Sequence, residues 1–485
     1  MMIRREIGRR LAAYYAQPCH KVVGSLGTNI LHEFNLNNDN TTTHIQFKRL
    51  LGEWHWKRIY RQLYDRQEGQ WLTPVELFRP YYSQILANFI ACETLEAVTN
   101  GNMNNNSVQV VELGGGRGTN ALEILSYLKH TYPSIYERID KYIIVDSSPT
   151  LLDLQRNILI GERYENDRNS ISSSRTSLFR DKVSLVPMDL MDVAENKNSD
   201  FLDPSSVHTI TISLELLDNL PHDKIKRCET TGTILQAELI PSFSTTPTNH
   251  NHTNNNETKQ TNNQMIESFV PLHDPLLTQI INHAPSYVAH LGNHPTSMAR
   301  WIPSVACGVL QTLYQQRPNS SLLLADFDAL PPPTFNSSSI VDKESCTAEG
   351  EPLFTDMKDT DHACLLTSPP FCDILFPTDF PRLAEFVNNI LHQQERITTK
   401  GNTRYKDSAN HDDHKDQQQK SISETNGFRT LIRKQSDFLL DFGPCQIEAT
   451  KSFLTGYSPM ISDFSNCSVL TVSRSVELPS SSIIK

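Results

Sequence analysis

The sequence predicts an α/β fold: a mostly parallel sheet with a helical insertion, closed by an antiparallel hairpin. Three observations carry this expectation. Strand-like segments alternate with helical ones, and four of them lead into an acid: 142–145 into Asp146, 183–186 through Pro187 and Met188 into Asp189, 208–214 into Glu215, and 321–325 into Asp326. An earlier apolar segment, Val110-Val-Glu-Leu113, breaks into the glycine run Gly114-Gly-Gly-Arg-Gly118 and then into an amphipathic stretch over 120–129. Near the end of the chain, 446–454 and 467–473 read as two closing strands. Alternating β and α elements favour a parallel sheet covered by crossover helices. Open sheets of this kind bind ligands beyond the carboxyl ends of their strands, where these acids stand.

Composition narrows the possibilities. The chain has 485 residues, 38% hydrophobic and 20% charged, which suits one large domain diluted by polar insertions. A formal net charge of -11 with no compact basic cluster argues against nucleic acid as the main partner. The nine cysteines form no C-x-x-C pair, so neither a zinc site nor a disulfide framework is expected, and no metal is assigned. No apolar run approaches the ~18 residues of a membrane span, so no stable membrane insertion is expected.

Taken in order, residues 1–45 read as a transit peptide and linker. Ile3, Ile7, Leu11, Tyr14 and Tyr15 fall on one helical face, with Arg5 and Arg9 opposite. Residues 46–100 form an N-terminal helical segment; its aromatics (Trp54, Trp56, Tyr60) are read as core and not as a nucleic-acid surface. Thr73-Pro-Val-Glu76 has capping-box spacing, and Pro80 restarts the helix. Residues 107–240 form the cofactor-binding α/β core, in which Asn120 and Glu123 again have capping-box spacing and 133–141 is read as an extended connection to Asp146. A disordered Ser/Thr/Asn/His-rich tract follows at 241–265. Residues 266–316 are read as a helical cap over the sheet edge, suited to selecting a substrate. The remainder is a core strand (317–334), a polar tract (335–370), an ordered segment (371–395), a second polar tract (396–427) and the closing strands (428–485).

The glycine spacing separates cofactors. A dinucleotide fingerprint, G-x-G-x-x-G, would place its third glycine at position 119, which holds Thr119. The observed G-x-G-x-G after Glu112 resembles the class I methyltransferases that use S-adenosylmethionine, although an ordinary tight connection could carry the same glycines. In the cofactor reading, Gly114, Gly116 and Gly118 let the backbone approach the ligand. Asp146 takes the ribose hydroxyls, because one carboxylate accepts two hydrogen bonds. Asp189 accepts from the adenine amino group with Met188 packed on the ring, and Glu112 orients the turn or reaches the amino-acid end. Methyl transfer needs alignment and desolvation more than acid-base groups. For a guanidinium acceptor a buried carboxylate would pair with the cation, and Glu215 is the catalytic candidate with Asp218 close behind. Each of these acids could instead be a solvated strand end.

The ordered series Glu112-Leu-Gly-Gly-Gly-Arg-Gly-Thr119, Glu215-Leu-Leu-Asp-Asn-Leu-Pro221, Ser268-Phe-Val-Pro271, 373–380 and 453–472 resembles the MidA family. The resemblance covers most of the chain from about Gly69 onward, outside the polar tracts. It implies a Rossmann-like class I methyltransferase fold, S-adenosyl-L-methionine as cofactor and a location in the mitochondrial matrix. It also implies a protein substrate, with dimethylation of an arginine on a complex I subunit. Gly115 stands where the family has proline, Thr73-Pro-Val-Glu76 matches its Thr-Ser-Pro-Glu loosely, and Asp326-Phe-Asp-Ala-Leu-Pro331 replaces an Asp-Tyr-Gly type of sequence. These departures leave two alternatives open: a catalytically inactive assembly chaperone, or a small-molecule methyltransferase.

Overall fold

The computed structural model describes residues 1–17, 24, 26, 44–65, 72–99, 107–161, 179–195, 197, 202, 207–242, 265–292, 299–333, 348–358, 360–402, 423–425 and 428–473. The disordered tract expected at 241–265 apart from 241, 242 and 265, most of the linker, residues 335–347 and 359 of the first later polar tract, and the larger part of the second lie outside these residues.

The main sheet holds eight strands in the order β14-β15-β16-β9-β4-β1-β2-β3. Its parallel half is β1 (Val108–Leu113), β2 (Ile139–Asp146), β3 (Val183–Pro187), β4 (His208–Leu214) and β9 (Ser320–Phe327). Alternate residues of these strands face opposite layers. In β2, Tyr142 and Ile144 enter one core and Ile143 and Val145 the other; in β9, Leu323 and Leu322 divide in the same way. A sheet buried on both faces gives near-continuous apolar strands, which is why these segments were legible. The order reverses between β1 and β4, so their carboxyl ends flank the crevice in which such sheets bind ligands.

One layer packs α2 (Glu53–Asp65), α3 (Pro74–Leu77), α4 (Tyr81–Thr99), α5 (Thr119–Thr131) and α6 (Pro133–Arg138) around Trp56, Phe78 and Phe89. Two expectations change here. Residues 133–138 are a helix with Pro133 in its first turn, where the missing N–H carries no penalty, and not an extended connection. Neither proposed capping box forms a side-chain cap. Asn120 turns inward to Glu112, Glu123 pairs with Arg79, and Thr73 caps only through its carbonyl.

The opposite layer contains α8 (Leu190–Ala194), α9 (Pro275–His283), α10 (Ser304–Gln316) and α11 (Phe380–Asn402), after α7 (Pro149–Gln155) beside β2. The helical cap expected over 266–316 is only partly helical. Residues 265–271 form a strand, and α10 is a core crossover helix leading into β9. A Cβ on its Gly308 would lie 2.7 Å from Ala194 Cβ of α8. What projects beyond the sheet is a five-stranded sheet, β10-β8-β5-β6-β7, made of β5 (Asp223–Arg227), β6 (Ile234–Pro241), β7 (Met265–Pro271), β8 (Ala299–Ile302) and β10 (Ala348–Glu349). Beside it lies a three-stranded sheet of β11 (Leu353–Asp356), β12 (Asp361–His362) and β13 (Cys372–Leu375). Part of the first polar tract is therefore ordered.

The closing strands are β15 (Phe428–Lys434) and β16 (Cys467–Ser473), with the short β14 (Ser423–Thr425) outside them. β16 runs antiparallel to both β9 and β15, as expected, but its hairpin partner is not 446–454. That segment begins as α13 (Pro444–Ala449), again with Pro at its start, between α12 (Gln435–Phe442) and α14 (Pro459–Ser462).

The first residues depart most from expectation. α1 (Ile3–Tyr15) is the amphipathic helix foreseen, with Arg5 and Arg9 exposed. Its apolar face is buried against Leu239, Trp301, Phe354 and Phe376, so it is part of the folded body. Arg4, 3% exposed, reaches Asp223 at 2.7 Å, Asp274 at 2.8 Å and Glu195 at 3.3 Å.

Candidate active site

A cavity of ≈ 510 Å³ opens at the carboxyl ends of the parallel strands. Of the nine residues singled out in the sequence, Glu112, Gly114, Gly116, Asp146, Met188, Asp189, Glu215 and Asp218 all line it. Gly118 does not: it caps α5 at φ 84, and a Cβ there would come within 3.2 Å of the Gln155 backbone. Its part is close packing of α5 against α7. Gly116, at φ 51, faces open space on the cavity side, so its bare backbone borders whatever fills the cavity.

Glu112 sits behind the turn, where Asn120 Nδ2 donates to one carboxylate oxygen at 2.8 Å and the Tyr142 hydroxyl to the other at 2.9 Å. Burial pushes its carboxyl up to about 7. At the end of β2, Asp146 accepts from Ser148 N at 2.9 Å and from Gln155 Nε2 at 3.0 Å; Gln155 Nε2 also donates to the Gly116 carbonyl at 2.9 Å. One amide side chain thus ties the glycine turn to the second strand-end acid. Burial raises Asp146 to about 6. Asp189, exposed at the cavity rim, caps α8 by accepting from Met191 N at 2.8 Å through Oδ1.

The opposite end of the cavity is acidic. Glu215 ends β4 at φ 47, in the left-handed region that non-glycine residues seldom occupy. It makes no side-chain hydrogen bond among the described residues, and burial together with Asp326 raises it to about 8. Asp218 is 2% exposed, and its Oδ1 has no hydrogen-bond partner among the described residues. Burial, Asp326, Asp373 and Glu215 hold its carboxyl well above the usual range. Asp326 is organised by the backbone: Oδ2 accepts from Leu217 N at 2.7 Å and Asp218 N at 3.2 Å, and Oδ1 from Phe327 N at 2.7 Å. Among the described residues neither Glu215, Asp218 nor Asp326 forms an ion pair. Asp373 arrives from β13 to line the same wall.

Several lining residues are not among those nine. Glu76 belongs to the Thr73 segment and is buried with its carboxyl raised, and Asp463 closes one side. Gly8, Leu11, Ala12 and Tyr15 of α1 form a wall that no local pattern foretold. Asp326, the fourth of the strand-end acids read in the sequence, holds the Leu217 and Asp218 amides and does not line the cavity; Tyr15 carried only its place on the apolar face of α1, and Asn219 only its place in the motif from Glu215 to Pro221. No helix among the described residues is long and apolar enough to cross a membrane, and no cluster of three His, Cys, Asp or Glu residues among them is placed to hold a metal.

Residues 89–397 match the model of a family described as "Putative S-adenosyl-L-methionine-dependent methyltransferase". Comparison with curated proteins finds no match. Among solved structures, the chain is similar to a COG1565 superfamily member from Burkholderia thailandensis bound to S-adenosyl-homocysteine. Identity is 13% and the TM-score 0.46, over 83% of this chain and 78% of that one. A native structure of a COG1565 superfamily protein from the same organism gives 13% identity and a TM-score of 0.48, over 82% of this chain and 81% of that one. The family match spans well over half of the chain and includes the glycine turn, all the strand-end acids and Asp373. The chain belongs to this family of S-adenosyl-L-methionine-dependent methyltransferases.

Proposed function

We propose that the protein transfers methyl groups to an arginine side chain of a partner protein, and that Glu215 and Asp218 receive the guanidinium. The observation that supports this most directly is the unpartnered, buried Asp218 Oδ1 beside Glu215, on a cavity wall where neither carboxylate is neutralised by a lysine or arginine among the described residues. Buried carboxylates left this way favour a cation brought by the substrate, and a planar guanidinium offers paired donors to two carboxylates at once.

The other end fits the cofactor. Asp146 Oδ1 accepts from Ser148 N and Oδ2 from Gln155 Nε2, with the Ser147 amide also directed at the carboxylate, and a two-oxygen acceptor at the cavity suits a ribose diol. The cap at Asp189 occupies only Oδ1, leaving Oδ2 for an adenine amino group, with Met188 alongside. Both Glu112 oxygens are already engaged, so its part is to hold the turn. S-adenosyl-L-methionine supplies a methyl group activated by a positively charged sulfur. The protein's remaining task is to align the acceptor nitrogen, exclude water and take up the proton that nitrogen loses; we assign the last to Glu215, which the positive charge of a bound guanidinium would bring to its ionised form.

The resemblance to the MidA family supports dimethylation as the product, a complex I subunit as the acceptor and the mitochondrial matrix as the location. The test is incubation of the protein with mitochondrial extract and a labelled methyl donor. Label is expected on arginine of one protein, and binding of the donor with no transfer to any protein would sink the reading. Glu215→Gln should lower transfer by about 100-fold, the scale of losing one group that stabilises the transition state, while affinity for S-adenosylhomocysteine stays the same. Equal loss of both would show that Glu215 serves the cofactor.

A further inference from the structure

We infer that Tyr15 is a positioning residue for the acceptor end of the cavity, acting through Asn219 on the turn that carries Asp218 and on Asp373. The inference rests on the acceptor reading proposed above, but the contacts that motivate it lie partly outside the family match, since α1 precedes residue 89. The Tyr15 hydroxyl donates to Asn219 Oδ1 at 2.8 Å. Asn219 Nδ2 in turn donates to Asp373 Oδ1 at 3.1 Å and to the Ile374 carbonyl at 3.4 Å. Asn219 ends the short turn Leu217–Asn219, in which the Asp218 carbonyl accepts from Phe376 N at 2.9 Å. One phenol thus stands at the head of a chain of donors joining α1, the acceptor turn and β13, and all four polar residues line the cavity.

Two features separate this from ordinary packing. α1 is anchored without the phenol, through Ile3, Ile7, Leu11 and Tyr14 and through the buried Arg4. Burial, with Asp373 and Asp218 nearby, keeps the Tyr15 hydroxyl protonated and therefore a permanent donor. If that donor were lost, the Asn219 amide would be held only through Nδ2, by Asp373 and the Ile374 carbonyl, and the spacing of the acceptor carboxylates would be less firmly fixed. Tyr15 also touches the cofactor end, where its backbone carbonyl accepts from Ser148 Oγ at 3.4 Å. That contact survives any side-chain change, so the two ends can be separated by mutation.

Tyr15→Phe keeps the ring and removes the donor. Hydrogen exchange of the cofactor-free full chain is expected to quicken at Leu217 to Leu220 by about fivefold, the factor of one hydrogen bond of ordinary net strength, with the glycine turn unchanged. Asn219→Ala should quicken the same amides, and adding Tyr15→Phe to it should change nothing more. By calorimetry with S-adenosylhomocysteine bound, an arginine peptide should bind Tyr15→Phe about fivefold more weakly, with affinity for S-adenosylhomocysteine itself unchanged. Unchanged exchange at the turn, additive effects in the double variant, or quickened exchange along all of α1 would overturn the inference. Wild-type protein that binds no arginine peptide would overturn the arginine reading instead, and the exchange result would still decide the role of Tyr15.

Discussion

Gly115 lies between two glycines that the backbone needs for their left-handed φ, yet its own requirement is steric. A Cβ there would fall 2.4 Å from Ile144 Cγ2, and Ile144 is a fully buried strand residue with nowhere to move. Gly115→Ala should therefore destabilise the protein by about 1–3 kcal/mol, read as a lower urea midpoint. In the sequence Gly115 was only a departure from the family's proline, expected to change turn stiffness. Positive φ leaves a spacing pattern that can be read locally, whereas a clash with a residue on the next strand does not. The acids divide along the same line. Asp146, Asp189, Glu215 and Asp326 were legible because each ends a strand. Asp373 reaches the site from a separate small sheet, and the orphaned Asp218 Oδ1 is visible only once its neighbours are placed.

At the scale of elements, α1 shows what amphipathicity can and cannot say. The apolar face read from the sequence is the one α1 buries, but helical spacing does not say which of the arginines face water. Arg4 instead completes a buried cluster that joins α1 to β5, to the cap of α9 and to the end of α8. Arg4→Met would leave Asp223, fully buried, without its cation. It should lower unfolding free energy by about 3–5 kcal/mol, measured by denaturant titration. Arg4→Lys should recover only part of this, because one ammonium cannot reach three carboxylates in the geometry of a fork. The misplaced closing strand has a different cause. Residues 428–434, Phe-Arg-Thr-Leu-Ile-Arg-Lys, lack the strict apolar and polar alternation that marks a half-buried strand, so nothing in their spacing singles them out within 428–485. Meanwhile Pro444 marks a helix start two residues before the segment read as a strand, and that helix runs into it.

At the scale of the whole molecule, the folded chain holds several carboxyls in a low-dielectric crevice. Burial raises Asp146 to about 6, Glu112 to about 7 and Glu215 to about 8, the last with help from Asp326. For such a group the folded state binds the proton more tightly than the unfolded chain does. Its contribution to stability is therefore fully present below the unfolded value near 4.5 and is lost as pH rises through the folded value. Thermal unfolding of the cofactor-free protein between pH 6 and pH 9, compared with Glu215→Gln, should show the wild type losing stability relative to the variant through about pH 8. Parallel curves would mean that Glu215 is not held in the environment described.

By itself the sequence determined the parallel half of the main sheet, the glycine turn at its first strand and the acids at the ends of its other parallel strands. It could do so because strands buried on both faces and backbones with positive φ leave local, periodic signatures. Only the tertiary structure decided which elements complete the cavity. The α1 wall, the two accessory sheets, Asp373 and the Tyr15–Asn219 contact come from segments hundreds of residues apart. Their meeting depends on burial, shape and charge neutralisation between distant surfaces, and none of these is written in the spacing of neighbouring residues.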